Sequence, residues 1–540
     1  MKKKLLIAML ILLIISAQSV FACIIFGVGR LASADGSTMT SHTCDSTGDD
    51  LRLWLIPSLE EGTEREVVVD GRKDADFTNF PEVKDYGARG MVVDSYVNDK
   101  DTYQYLHAMY SFANEKGVTM TESTCGTTKE QRAVFKNNLG IWDCYMLQDA
   151  ALENASTARE AVVFMGEKLN EGGWYGSPEC MTIGDGTDVW VFEAYGGKMW
   201  CAFRLPEDAV FVCANRCRID FYVEDDPENY LHAPNMKEFA IENKLWDGNG
   251  EFSPCASFGA GNYSFSCIGR EWRAVNNLTS AYPELANEDY ALTTTPDEVF
   301  PLYIIPDKKL SVDDVHKLCS DTYEGTRYDL SKSAYAGQFG NVLQSSYEYR
   351  PTNVVQCTYF QISNVKAWLP EEARCLVWFG WGAPVTTYLT PVFASQTELA
   401  DHFGKGVRAE YSEESGWWNE ALVQEAATIN YADAIQVIRG YRDPLMDVQY
   451  QVTSVIQNQA AKMIKNGDKE GAIELLTTYA NQQAKMWFDL YGDLSTELLA
   501  RYVVGRVAMK TPTTPDKEWW TEVLKAVQAV NAAQAVNTAQ

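Results

Sequence analysis

Cys23 is the residue around which the chemistry of this chain can be built. Before it, Lys2, Lys3 and Lys4 form a positive head, Leu5 to Ile15 is an unbroken apolar run, and Ser16 to Ala22 is a short tail. The run is too short for a comfortable bilayer span and reads as a secretory signal peptide over residues 1–22. Val20 and Ala22 satisfy the small-residue rule for a cut after Ala22, which would leave Cys23 at the mature terminus. A thiol and a primary amine would then share one residue. An α-amine titrates near ~7.7–8.0 and a free thiol near ~8.5, so both are poised close to working pH. The amine can take the thiol proton, directly or through a water, and later donate it to a leaving amine. No histidine is required, and only five are present (His42, His107, His232, His316, His402).

A Cys in this position has a second reading, as the lipidated residue of a lipoprotein and so of a lipid-anchored, non-catalytic binding module. Lipidation wants a small residue two positions before the Cys and usually Leu three before; Phe21 and Val20 stand there. The first twenty-three residues alone lean to the lipoprotein, and the residues after them reverse that. Cys23 to Gly29 reads as a buried strand, Ser33 to Ser37 as a turn, and Thr38 to Thr43 as the return strand ending at Cys44-Asp45-Ser46. Asp45 is thereby carried back toward Cys23, where a carboxylate can orient the amine. By itself an Asp at a strand end is an ordinary turn cap. Gly27-x-Gly29-x-x-Ala32 mimics a dinucleotide fingerprint, but Asp35-Gly36 opens a second strand where that motif needs a helix.

Composition narrows the alternatives. The 540 residues carry 46 Lys+Arg against 74 Asp+Glu, a net charge of −28, which excludes a basic footprint for nucleic acid and docking on anionic lipid. No segment after the leader approaches a membrane span, so the mature chain is expected to be exported and soluble, in the periplasm or the medium. Cys213-x3-Cys217 falls on a strand and the turn after it, with no matching His/Cys pair. There is no HExxH motif. Neither a metal nor a cofactor is therefore expected; Cys213 and Cys217 read as buried or disulfide-bonded, and pairing among the twelve cysteines other than Cys23 stays open.

The elements that must hold Cys23 follow an α+β pattern. Thr157-x-x-Glu160 is a capping box for a helix running to about Asn170 and stopped by Gly172-Gly173. A meander follows, with strands at Cys180–Gly184, Val189–Tyr195, Lys198–Leu205 and Ala209–Asn215. Residues 222–310 read as irregular, with long surface loops. Asp313–Thr322 reads as a helix capped by Ser311, and 352–363 and 374–380 read as strands. Helical spacing covers Ala421–Ile438, Met446–Lys465, Lys469–Tyr491 and Ser495–Ala508. The expected organisation is a leader (1–22), a catalytic domain (23–400), a helical region (413–510) and a tail without assigned elements (511–540).

The run Cys23-Ile-Ile-Phe-Gly-Val-Gly-Arg-Leu-Ala-Ser-Ala-Asp-Gly-Ser-Thr38, continuing to Thr43-Cys44-Asp45-Ser46, resembles the mature start of the N-terminal-nucleophile (Ntn) cysteine dipeptidases, the dipeptidase A and secernin group. Further blocks resemble that family in order: Asn114–Val118 with Glu122-Ser123-Thr124, Trp190–Glu193 with Gly196-Gly197, Val212–Ile219, Tyr323–Asp329, and Leu376–Gly380 with Tyr388 and Pro391. The resemblance implies a four-layer αββα Ntn-hydrolase sandwich with a C-terminal helical region. It also implies a Cys nucleophile exposed by processing, and hydrolysis of short peptides, chiefly dipeptides. Carried over by position, Cys23 is nucleophile and base, Asp45 holds the amine, and Asn215 serves the oxyanion. The wider superfamily often has Arg three residues before that Asp, where this chain has His42. A superfamily Asn aligns near Thr124 and is not assigned. For the substrate's own charges, Glu193 is a candidate for the ammonium and Arg350 for a distant guanidinium; a strand residue facing another layer and a surface Arg are their plainer readings. A rival with the same fold and nucleophile is an acyl-amide hydrolase of the penicillin or bile-salt type. Homo-oligomerisation stays open.

Overall fold

Strands rich in β-branched and aromatic residues pair into antiparallel sheets, and the sheet that carries β1 and β2 is buried on both faces. The computed structural model describes residues 23–46, 51–69, 91–136, 138–260, 264–287, 300–332, 337–344 and 349–504, with 520–521, 523–525 and 527–528. The leader (1–22) and most of the 511–540 tail lie outside the described residues. In chain order the strands are β1 (Ile24–Val28), β2 (Thr38–Asp45), β3 (Trp54–Ile56), β4 (Glu64–Val69), β5 (Met91–Val97) and β6 (Tyr105–His107). Next come β7 (Ser111–Asn114), β8 (Thr119–Met120), β9 (Ser123–Thr124), β10 (Glu179–Gly184), β11 (Val189–Gly196) and β12 (Met199–Arg204). The last are β13 (Val210–Cys213), β14 (Tyr230–His232), β15 (Cys357–Val365), β16 (Cys375–Trp381) and β17 (Thr390–Phe393).

One sheet has the order β13-β1-β2-β15-β16-β17, and a second has β14-β12-β11-β10-β8-β7-β6-β3 with β9 also paired to β10. Strands β4 and β5 form a separate pair. Side chains alternate between faces along a strand, and the first sheet uses both. Ile25, Cys44, Tyr359, Val377 and Phe379 share a core with β10–β12 of the second sheet. Ile24, Phe26, Val28, Phe360, Ile362 and Trp378 share another with the helices Phe265–Leu278, Val312–Cys319, Gly416–Ala427 and Tyr431–Lys465. This double burial is why β1 reads as a continuous apolar run. Gly27 sits where a Cβ would come within 3.0 Å of Val189 and 3.1 Å of Thr182, so its missing side chain lets the sheets approach.

Helix signals match local chemistry. Thr157 Oγ1 accepts from the Glu160 N–H at the start of Ala158–Gly172, and Gly173 ends that helix at φ +74. Ser311 and Asp314 form a reciprocal capping box ahead of Val312–Cys319.

Two expectations need correction. Residues 222–310 contain helices at Met236–Glu242, Pro254–Phe258 and Phe265–Leu278. The last carries Ile268, Trp272, Val275 and Leu278 on one buried stripe, which its polar composition obscured. The break expected between Ile438 and Met446 is absent, since Tyr431–Lys465 is one helix with Pro444 inside it. Ile438 and Met446 anchor both sides of the proline in one core, and Arg442 Nη1 donates to the Val385 and Thr387 carbonyls at 2.7 and 3.1 Å. Packing therefore carries the helix past a residue that removes one of its hydrogen bonds. Lys469–Leu499 likewise runs unbroken, with Tyr491, Leu494 and Leu498 on its buried face. Finally, every one of the 13 cysteines is a buried free thiol, so of the alternatives left open for Cys213 and Cys217 the structure shows burial without a disulfide. No described helix is long and apolar enough to cross a membrane.

Thiol titration checks the free thiols. Without reductant, the denatured chain is expected to release all 13 thiols to a thiol reagent, the twelve other than Cys23 are expected to react slowly in the native chain, and added reductant is expected to leave the thermal midpoint unchanged.

Candidate active site

The β1–β2 hairpin pairs Ile24 with Thr43 and Ile25 with His42, so Cys23 and the end of β2 meet at one edge. On the other side of β1, Ile25 pairs with Cys213, which places Asn215 just beyond the same edge. The second sheet brings up the segment between β8 and β9, held to β10 by pairing of Thr124 with Glu179 and Ser123 with Cys180. Cys23 lies buried where these elements converge.

Around its sulfur stands a charged group. Cys23 Sγ lies 3.2 Å from Glu122 Oε1, and His42 Nε2 lies 3.0 Å from the same oxygen. The Tyr110 and Tyr359 rings stand edge-on to the imidazole at 5.7 and 5.6 Å. Burial alone would depress the His42 imidazolium. The charge and hydrogen bond of Cys23, with those of Glu122, outweigh burial and lift it to about 10. His42 is therefore a cation at neutral pH, so positive charge does stand three residues before Asp45.

The Cys23 carbonyl is gripped separately. Arg270 Nη1 donates to it at 2.9 Å, and Ser123 Oγ donates at 3.4 Å. Arg270 Nη2 donates to Asn215 Oδ1 at 2.7 Å, and Asn215 Nδ2 donates to the Thr124 carbonyl at 2.9 Å. The Asn215 N–H donates to Ser123 Oγ at 3.0 Å, and its φ of +64 is left-handed, a conformation Asn tolerates better than most residues. Next to Arg270, Glu271 accepts from Arg216 Nε at 2.8 Å and stands 3.4 Å from Arg218 Nη1. Consecutive charges on one helix thus hold both Cys23 and the turn after β13.

Asp45 is linked to the same place by a relay. The Ile24 N–H donates to Thr43 Oγ1 at 3.3 Å, and Thr43 Oγ1 donates to Asp45 Oδ2 at 3.2 Å. Arg350 Nη2 donates to that oxygen at 2.5 Å. Burial pushes the Asp45 carboxyl up, with Arg350 and Arg270 pulling against it. Burial and the charge of Arg270 bring Arg350 down to about 10, against the pull of Asp45.

Of the residues singled out from sequence, Cys23, Asp45, Asn215 and Arg350 thus belong to one connected network. Glu193 does not join it. Its carboxylate accepts from the Arg218 N–H at 2.5 Å, the Ile219 N–H at 3.3 Å and Tyr195 Oη at 2.7 Å, and so braces the turn after β13. Cys213 and Cys217 are buried thiols beside Cys125. Sequence reasoning missed Arg270, Glu122 and Ser123 as site residues. The signal for Arg270 was a charged pair, Arg270-Glu271, inside a helical apolar stripe. For Glu122 it was a single acid in an otherwise uncharged strand segment.

A match to peptidase family C69 covers residues 22–443, which include every residue of this network. The chain belongs to peptidase family C69. Among its relatives, a probable dipeptidase from Salmonella dublin is 26% identical over 72% of this chain and 84% of the relative. A probable dipeptidase B from Lactococcus lactis subsp. lactis is 24% identical over 91% and 97%, and dipeptidase A from Lactobacillus helveticus is 23% identical over 89% and 96%. The C69 match thus spans both large sheets and the Arg270 helix.

The His42 cation has a stability consequence. Its folded value of about 10 lies above the ordinary 6.5, so folding binds its proton more tightly. That contribution is full below pH 6.5 and is lost as pH rises toward 10. Chemical denaturation of wild type is expected to show stability falling across this window, and His42→Gln is expected to flatten the fall.

Proposed function

We propose that this chain is an exported cysteine dipeptidase on a four-layer αββα Ntn-hydrolase framework, activated by cleavage after Ala22. The observation that carries the reading is Cys23 itself: at the head of β1, its sulfur stands against Glu122 and near His42, and its carbonyl is held by Arg270 and Ser123. The names of the relatives support dipeptides as substrates.

In the proposed reaction the freed amine of Cys23 takes the thiol proton, and the His42 imidazolium stabilises the thiolate. The sulfur attacks the scissile carbonyl, and the electron pair of the carbonyl moves onto oxygen. Asn215, clamped by Arg270, supplies the oxyanion donor. Collapse breaks the C–N bond, and the Cys23 ammonium protonates the leaving amine. Water then attacks the thioester, losing its proton to the same amine; the C–S bond breaks with its electron pair returning to sulfur, which regains that proton, and the second amino acid leaves with the new carboxyl group. Asp45, tied to Ile24 through Thr43, holds the amine in place. The leader directs the chain to the periplasm or the medium.

The lipid-anchored reading fits less well. A diacylglyceryl group on Sγ would have to share a buried site with a carboxylate and an imidazolium. The reading is tested on the purified mature protein. Its N-terminal mass should correspond to unmodified Cys23, and it should release free amino acids from dipeptides in preference to amines from N-acyl substrates. Cys23→Ser, correctly processed, should lose dipeptide turnover by at least about 100-fold; full activity, or a lipid adduct on active protein, would contradict the assignment. Asp45→Asn should lower kcat with little change in KM.

A further inference from the structure

A dipeptidase must recognise the free ammonium of its substrate, and the residue suggested for this by sequence, Glu193, is saturated by backbone and tyrosine donors. The structure offers a different pair. Glu122 and Glu179 are both buried, and their carboxyl oxygens lie within 4.8 Å of one another and of Cys144 Sγ. Each keeps one oxygen, Oε2, with no hydrogen-bond partner. Buried carboxyl oxygens without partners are costly, and native structures seldom leave them so. A third acceptor stands nearby. Gln148, one turn from Cys144 on the same helix, donates through Nε2 to the carbonyl of Thr121, next to Glu122, while its Oε1 also lacks a partner. All three atoms are acceptors, so what is missing is a group rich in donors. An ammonium carries three N–H donors and no acceptor.

Position relative to the nucleophile selects which ammonium. In a dipeptide the α-nitrogen is two bonds from the scissile carbonyl carbon, about 2.5 Å away. With that carbon against Cys23 Sγ, the nitrogen must lie beside the sulfur. Glu122 Oε1 is 3.2 Å from Sγ, so Glu122 itself stands at that remove, and a Glu179 oxygen lies within 4.8 Å of a Glu122 oxygen. Resting on the dipeptidase reading above, we propose that Glu122 and Glu179 form the subsite for the α-ammonium of the substrate's first residue. The pair confines the enzyme to peptides with a free N-terminus. Burial, followed by the charge of Glu122, holds Glu179 well above the usual carboxylate range.

The test compares a dipeptide with its N-acetyl derivative on the mature enzyme. Wild type should prefer the free amine strongly. Glu179→Gln should reduce that preference by roughly 30-fold or more, the loss expected when one partner of a buried charged pair is removed, and should do so through KM for the free dipeptide. The loss on the acetylated peptide should be far smaller than on the free dipeptide, a split that a general structural defect would not produce. Equal loss on both substrates, or an unchanged ratio, overturns the proposal. So does a wild type that cleaves the acetylated peptide as well as the free one, a result independent of any variant. If the preference disappears on chelator treatment and returns with zinc, the carboxylates serve a metal and the proposal fails. A wild type that hydrolyses no dipeptide refutes the dipeptidase reading itself, whereas dipeptide hydrolysis with an unchanged ratio refutes only the ammonium subsite.

Discussion

Charge taken out of water must find opposite charge within the protein, and the site around Cys23 is organised by that requirement. Asp45 is buried against Arg350, Glu122 against His42, and Glu271 against Arg216 and Arg218. Removing one member of such a pair leaves the other stranded, at a typical penalty of about 3–5 kcal/mol. The pairs therefore act as mutual constraints as much as chemical groups. The sulfur, the carbonyl beside it and the Asn215 turn each have a position defined by a charged partner on a different element.

Those partners come from parts of the chain far apart in sequence. The head of β1 supplies Cys23 and β2 supplies His42 and Asp45; the segment between β8 and β9 supplies Glu122, and β9 supplies Ser123; the Phe265–Leu278 helix supplies Arg270 and Glu271; the approach to β15 supplies Arg350. None of these elements carries the site alone. The left-handed Asn215 is held by Arg270 on its side chain and by Ser123 on its N–H. The close approach of the sheets at Gly27 lets residues of two different sheets act on one sulfur.

What could be read from the residues divides along physical lines. The hairpin at the start, the meander through β10–β13, and the capped helices at Thr157 and Ser311 follow from local chemistry, and local chemistry is written in adjacent residues. Family membership was also legible, because its blocks are short and ordered. The long helix through Pro444 was not, because what sustains it is packing by Ile438, Met446 and the carbonyls that Arg442 reaches. Arg270 was hidden for the same reason: its partners, Cys23 and Asn215, are 247 and 55 residues away. Glu122 lay inside a recognised block, yet its place beside the sulfur depends on how the second sheet stacks on the first. Glu193 was misleading, since a buried acid on a strand advertises a ligand while its actual donors are backbone groups no pattern reveals.

The thirteen reduced sulfurs have a consequence for the molecule whenever it meets an oxidant. Apart from Cys23, they are shielded while the interior is closed and become vulnerable each time the structure opens locally. Oxidative damage would then accumulate at a pace set by the frequency and extent of those openings, so that the tightness of the fold acts as the molecule's antioxidant. Newly made chains face the same hazard in reverse, and must finish folding before an oxidant joins sulfurs that the finished structure keeps apart.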